Sequence, residues 1–226
     1  MTDRIAGRIR VLLCDDQPSM REALRMVLEA HGLDVVDEAG DGEAAVAAAR
    51  RHRPDVVLMD VRMPTRDGIS ATASIVSDHP EVAVLVLTTF DDDAVLFGAL
   101  GAGAAGFVLK NAGPEAIVDA VRRVAAGDAV LDRSVHRRVF ARFDTGGVPA
   151  HADTAQRRLT ERERDVWWLV AQGLTNQEVA DRLGVGEATA KTHVSRVLAK
   201  LGVRDRVQAV IVAHQLGFAA TERALG

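Results

Sequence analysis

Along the first 126 positions, apolar residues come in short runs separated by stretches of helical periodicity. Val56-Val57-Leu58-Met59 is the strongest run. Four apolar residues in a row read as a strand buried on both faces, as in a parallel sheet. The run stops on Asp60, and Pro64 and Gly68 forbid its simple continuation. Comparable runs are Ile9-Arg10-Val11-Leu12-Leu13, Val35-Val36, Ala83-Val84-Leu85-Val86-Leu87 and Phe107-Val108-Leu109. The spacing between them predicts helices. Ser19-Met20-Arg21-Glu22 has the capping-box pattern, Met20, Leu24, Val27 and Leu28 share a face, and Gly32 closes that helix. Further helices are expected over 43–51, over 69–77, from Asp91-Asp92-Asp93 onward, and from Pro114 to about Ala125.

Strands alternating with helices predict a doubly wound α/β domain with a five-stranded parallel sheet. Its handedness puts all strand C-termini on one edge. The residues there are Asp15, Asp16, Asp60, Thr88 and Lys110. Singly, each has a bland reading: turn residues after strands and a solvated lysine tip. Together they form a site. Clustered carboxylates repel, and hard oxygen ligands without a competing His/Cys set favour Mg²⁺. A carboxylate beside Mg²⁺, a lysine and a threonine is equipped to accept a phosphoryl group, with Asp60 as nucleophile and Lys110 and Thr88 contacting the phosphate. The GxGxxG match at Gly101–Gly106 follows a helix and precedes a strand, so it reads as a turn and not as a nucleotide site.

A different pattern begins near position 157. Thr160 to Glu163 and Thr175 to Glu178 are two capping boxes, and Gly173 and Gly184 end the short helices they start. A third helix is expected from about Glu187 to Leu201 and a fourth from Asp205 to about Leu216. Helix, glycine-containing turn, helix is the helix-turn-helix arrangement, although a plain protein-binding bundle has the same pattern. The third helix favours DNA. With Val194, Val197, Leu198 and Leu201 inward, Thr189, Lys191, Thr192, Ser195, Arg196 and Lys200 face out, a basic, hydroxyl-rich surface suited to a major groove. The expected organisation is therefore a domain over 1–127, a linker over 128–156 and a small all-α domain over 157–226. The linker begins with a short amphipathic helix carrying Val130, Leu131, Val135, Val139 and Phe140, then becomes a flexible tether.

Charge follows the same division. The whole chain carries a net charge of −4, which argues against a wholesale nucleic-acid binder. Arg157 to Arg206, however, holds ten Lys/Arg against seven Asp/Glu, while residues 1–150 hold 17 against 23. An acidic module is joined to a mildly basic one. The single Cys14 excludes an internal disulfide framework and fits a reducing cytosol. No apolar run approaches the ~20 residues of a membrane span, and Met1 to Arg10 has no signal core. A cytoplasmic protein without membrane association is expected.

Four motifs carry a family resemblance: Cys14-Asp15-Asp16-Gln17, Leu58-Met59-Asp60-Val61-Arg62-Met63-Pro64, Leu87-Thr88-Thr89-Phe90 and Gly106-Phe107-Val108-Leu109-Lys110. Over residues 8 to about 126 they resemble the CheY-like receiver domain of bacterial two-component response regulators. The resemblance implies phosphorylation of Asp60 by a sensor histidine kinase. It also implies Mg²⁺ on Asp16, on Asp15 through water, on Asp60 and on the carbonyl of Arg62, with Thr88 and Phe107 as switch residues. Asn111 stands where many receivers have proline, which removes the expectation of a cis peptide there. Residues from about 157 to 217 resemble the LuxR/NarL-type helix-turn-helix, with Gly186 and Ala190 departing from its usual Ser and Val. In that family, positions matching Lys191, Thr192 and Ser195 face base edges, and those matching Thr189, Arg196 and Lys200 face phosphates. His193 is expected to pack or bond to backbone. The family's fourth helix dimerises; here Val207, Val210, Ile211 and His214 suit that role or a core equally.

The combination implies a transcriptional regulator of the NarL/FixJ type, not an enzyme beyond its own phosphotransfer and dephosphorylation. Double-stranded DNA, the kinase and a second copy of the phosphorylated chain are its partners, with RNA polymerase a candidate. Two rivals stay in view. One is a phosphatase using an aspartyl-phosphate, against which Arg62 stands where a second acid is needed. The other is a DNA-binding protein indifferent to phosphate.

Overall fold

The computed structural model describes residues 7–88, 93–130, 158–203 and 205–218. They fall into two compact units, Met1–Ala125 and Ala126–Gly226.

The first unit alternates β1 (Arg10–Cys14), α1 (Pro18–Ala30), β2 (Asp34–Ala39), α2 (Gly42–His52), β3 (Val56–Asp60), α3 (Gly68–Asp78), β4 (Ala83–Thr88), α4 (Asp93–Ala102), β5 (Gly106–Leu109) and α5 (Pro114–Ala125). All strand pairs are parallel, in the order β2-β1-β3-β4-β5. β3 lies at the centre and is buried from end to end, as its unbroken apolar run requires. From β1 the chain winds to β2 on one side and later to β3 on the other. The crevice beyond the C-terminal ends of β1 and β3 is thus a topological switch point, where open α/β sheets bind ligands.

Local chemistry sets the helix ends. The Asp41 carboxylate accepts from the Ala44 amide, and the Asp67 carboxylate from the Ser70 amide, both at 2.9 Å. The first helix departs from expectation. It begins at Pro18, and Gln17 at its cap makes no side-chain bond. Proline's fixed φ suits the first helical position, so the box at Ser19–Glu22 does not set this terminus. The Gly101–Gly106 stretch is the end of α4 and the turn into β5, with Gly103 at φ +97°.

The second unit contains α6 (Glu161–Ala171), α7 (Asn176–Leu183), α8 (Glu187–Leu201) and α9 (Arg206–Gln215). Both expected capping boxes are formed, on Thr160 with Glu163 and on Thr175 with Glu178. Trp167 centres the core. It is fully buried, stacks on Phe218 at a centroid distance of 4.3 Å and donates its indole N–H to the Ala209 carbonyl at 2.9 Å. Val166, Leu169, Val179, Ala190, Val194, Val197 and Leu201 belong to the same core. Gly186 caps α8 without a side-chain bond.

A buried polar seam also belongs to this unit. The Asp128 carboxylate accepts from the Asn176 amide at 2.8 Å, and Asn176 Nδ2 donates to the Ala126 carbonyl at 3.2 Å. Arg206 donates to Asn176 Oδ1 at 3.0 Å and to the Leu174 carbonyl, and lies 3.5 Å from Asp128. Asp128, expected to open the linker, is thus buried among helices of the second unit. The remaining linker residues expected to form a helix, Leu131 to Phe140, lie outside the described residues, as do Thr89, Phe90, Asp91 and Asp92. No helix among the described residues is long and apolar enough to cross a membrane.

Candidate functional site

The acidic residues at the ends of β1 and β3 do converge. One carboxylate oxygen from each of Asp15, Asp16 and Asp60 lies within 4.8 Å of the others. Asp15 and Asp60 are buried, whereas Asp16 is exposed. Lys110, from just beyond β5, places its ammonium 2.5 Å from Asp15 Oδ2 and 2.8 Å from Asp60 Oδ2. Its own amide donates to the Thr88 carbonyl at 2.7 Å, tying the lysine to the end of β4. Asp15 Oδ1 accepts from the Gln17 amide at 2.9 Å. Four consecutive strand ends therefore meet at one point, as the parallel sheet requires.

Burial pushes the Asp60 carboxyl above the ordinary carboxylate range, against the opposing pull of Lys110. Burial lowers the affinity of Lys110 for its proton. The hydrogen bonds to Asp15 and Asp60 outweigh that and hold the ammonium charged. Three carboxylates facing one ammonium leave an excess of two negative charges when all are ionised. That excess, with hard oxygen donors and no His or Cys in the set, fits a divalent cation of the Mg²⁺ type.

Thr88 and Phe107 are both buried, at the end of β4 and within β5. Arg62 is exposed, and its amide donates to the Asp60 carboxylate. Two site residues escape the sequence reading. Arg21 on α1 donates to the Asp15 carbonyl at 2.6 Å and pairs with Glu38 on β2 at 3.0 Å, bracing the loop that carries Asp15 and Asp16. Gly68 lies so close to the Asp60 carbonyl that a Cβ there would overlap it. Its role as a breaker was visible in the sequence, but this contact was not.

In the second unit, Thr189, Lys191, Thr192, Ser195, Arg196 and Lys200 are all exposed on α8, as its periodicity predicts. Their side chains are not equivalent. The hydroxyls of Thr192 and Ser195 donate back to the carbonyls of Ala188 and Lys191, leaving their oxygens as outward acceptors. Lys200 is engaged with the Glu163 carboxylate at 2.7 Å. His193 is half-buried.

Residues 11–122 match the family model of the response regulator receiver domain, and residues 157–213 that of the luxR family of bacterial regulatory proteins. The chain is 40% identical over 211 residues to the uncharacterized transcriptional regulatory protein YxjL of Bacillus subtilis (strain 168), covering 93% of this chain and 97% of that one. The chain belongs to the LuxR-type response regulators. It is also 38% identical to the transcriptional regulatory protein LiaR of the same organism, over 92% of this chain and 97% of that one. Among solved structures, the response regulator ChrA of a heme-sensing two-component system is similar at 36% identity. The match covers 94% of this regulator and 99% of that chain, with a TM-score of 0.51. This regulator therefore joins a receiver to a LuxR-type DNA-binding domain and acts in transcription regulation within a two-component system.

Proposed function

We propose that this regulator is switched by transfer of a phosphoryl group from a sensor histidine kinase to Asp60, and that the switch governs how α8 engages double-stranded DNA. The observation that carries the reading is the bridge from Lys110 to Asp15 and Asp60, with Asp16 beside it. Asp15, Asp16, Asp60 and the carbonyl of Arg62 would hold Mg²⁺. Bound there, the ion would neutralise phosphoryl oxygens. An Asp60 carboxylate oxygen forms the new O–P bond. The donor's P–N bond breaks, and its electron pair stays on the imidazole nitrogen. Lys110 holds Asp60 in place and supplies a cation for the phosphate. Thr88 donates a hydrogen bond to the phosphate, and Phe107 follows its movement within the buried wall it shares with β4. By the family resemblance, Lys191, Thr192 and Ser195 would read base edges, and Thr189, Arg196 and Lys200 would face phosphates. A phosphorylated homodimer in the cytoplasm, with RNA polymerase as a further partner, completes the reading. Its chemistry ends with its own phosphorylation and dephosphorylation.

The test is intact mass and oligomeric state with Mg²⁺ and acetyl phosphate, for wild type and Asp60→Ala, repeated with a partner kinase. Gain of one phosphoryl group by wild type alone, with a shift toward dimer and tighter DNA binding, supports the proposal. Equal DNA affinity of the two proteins, with neither modified by donor or kinase, favours a regulator independent of phosphate.

A further inference from the structure

The family resemblance assigns Lys200 to a DNA phosphate. Its surroundings point elsewhere. Lys200 stands in the last turn of α8, and its Nζ lies 2.7 Å from Glu163 Oε2. Glu163 is only 6% exposed. The same Oε2 accepts from the Thr160 amide at 2.8 Å and from the Thr160 hydroxyl at 3.0 Å. One buried carboxylate oxygen thus joins the N-terminus of α6 to the C-terminal turn of α8. Lys191 and Arg196 differ. They are exposed, and neither has an ion pair among the described residues.

We propose that Lys200 is a positioning residue, which fixes the tilt of α8 against α6 through Glu163, and not one of the groups that neutralise DNA phosphates. A cation drawn onto DNA would have to leave a buried carboxylate that has no second cationic partner among the described residues, and stranding a buried charge is costly. A lysine in the last turn also complements the helix dipole where it stands. The helix carries two distinct kinds of basic residue: Lys191 and Arg196 toward the ligand, Lys200 toward its own scaffold. The proposal rests on the reading of α8 as the DNA-contacting helix.

The experiment measures binding of the full-length protein to a random-sequence DNA duplex between about 50 and 200 mM salt, with thermal unfolding of the same samples. Each phosphate contact contributes about 0.9 to the slope of log affinity against log salt. Arg196→Gln is expected to lower that slope by about 0.9, and Lys200→Gln to leave it unchanged. Glu163→Gln separates the roles by sign. It removes a negative charge near the DNA, so simple attraction predicts tighter binding. A positioning role predicts binding about fivefold weaker, and a thermal midpoint that Lys200→Gln does not depress further in the double variant. A slope lost with Lys200→Gln, or tighter binding by Glu163→Gln, overturns the proposal while the DNA-binding reading stands. Failure of wild type to bind any duplex overturns both.

Discussion

The Cα of Gly68 lies against the main-chain carbonyl of Asp60. A Cβ built on Gly68 overlaps that carbonyl and comes within 3.1 Å of Met59 Cγ. The Gly68 amide meanwhile donates to the Val61 carbonyl at 2.9 Å. The loop has no slack to absorb the extra atom, and Thr65 within it already sits at φ +63°. Gly68→Ala is expected to cost about 1–3 kcal/mol and to slow phosphorylation of Asp60 by displacing its backbone. Gly101, where a Cβ meets open space in α4, is the control. Gly101→Ala should leave phosphorylation unchanged. Thermal melts and timed intact-mass measurements of both variants check the contrast.

Removing the ammonium of Lys110 leaves Asp15 and Asp60 as like charges in a buried site. Lys110→Met is expected to abolish phosphorylation by acetyl phosphate, because the nucleophile loses its anchor and the phosphate loses a cation. The fold should persist, since the Lys110 amide still bonds to Thr88 through the backbone. Circular dichroism and intact mass on one preparation test this. A variant that phosphorylates at the wild-type rate would show that Lys110 is a bystander.

The seam of Asp128, Asn176 and Arg206 makes a prediction about stability. Arg206 and Asp128 have side chains only 5% and 8% exposed, so deleting Asp128 takes a carboxylate away from a buried guanidinium. Asp128→Ala is expected to cost the second unit about 3 kcal/mol. Adding Arg206→Met should recover part of that loss, because the buried guanidinium that lost the Asp128 carboxylate is then gone. Urea unfolding followed by Trp167 and Trp168 fluorescence reports on this unit alone, as both tryptophans lie in α6.

These pairs also mark the limit of what the sequence discloses. Pro114–Ala125 and Glu187–Leu201 were closely legible, each with one approximate bound, because a proline or a cap, an apolar stripe and a closing break coincide in each. The convergence of Asp15, Asp60, Thr88 and Lys110 was legible because a parallel sheet places every strand end on one edge. Arg21 with Glu38, Asp128 with Arg206, and Glu163 with Lys200 were not. Each joins charged residues far apart in the chain. In a linear pattern such residues read as solvated faces, and only tertiary packing decides which of them is buried against its partner. The start of α1 failed for a local reason, since a proline and a capping box competed one residue apart.

The Glu163–Lys200 pair finally predicts how the second unit meets acid. The Lys200 ammonium, together with the Thr160 donors, holds the Glu163 carboxyl down to about 2, from an ordinary value of 4.5. A carboxyl depressed by folding stabilises the folded state above its unfolded value. That contribution is lost as pH falls through the folded value. The pair should therefore act in full at pH 6, weaken as pH drops below about 4.5 and vanish near 2. Glu163→Gln keeps an oxygen for Thr160 but has no charge to lose. Other carboxyl groups titrate in the same window, so the difference between the two proteins is the quantity to follow. Thermal midpoints of wild type and Glu163→Gln, measured every half pH unit, should lie apart near neutrality and converge in acid. A gap that stays constant across the range would mean that shape, and not the Glu163 charge, ties α8 to α6.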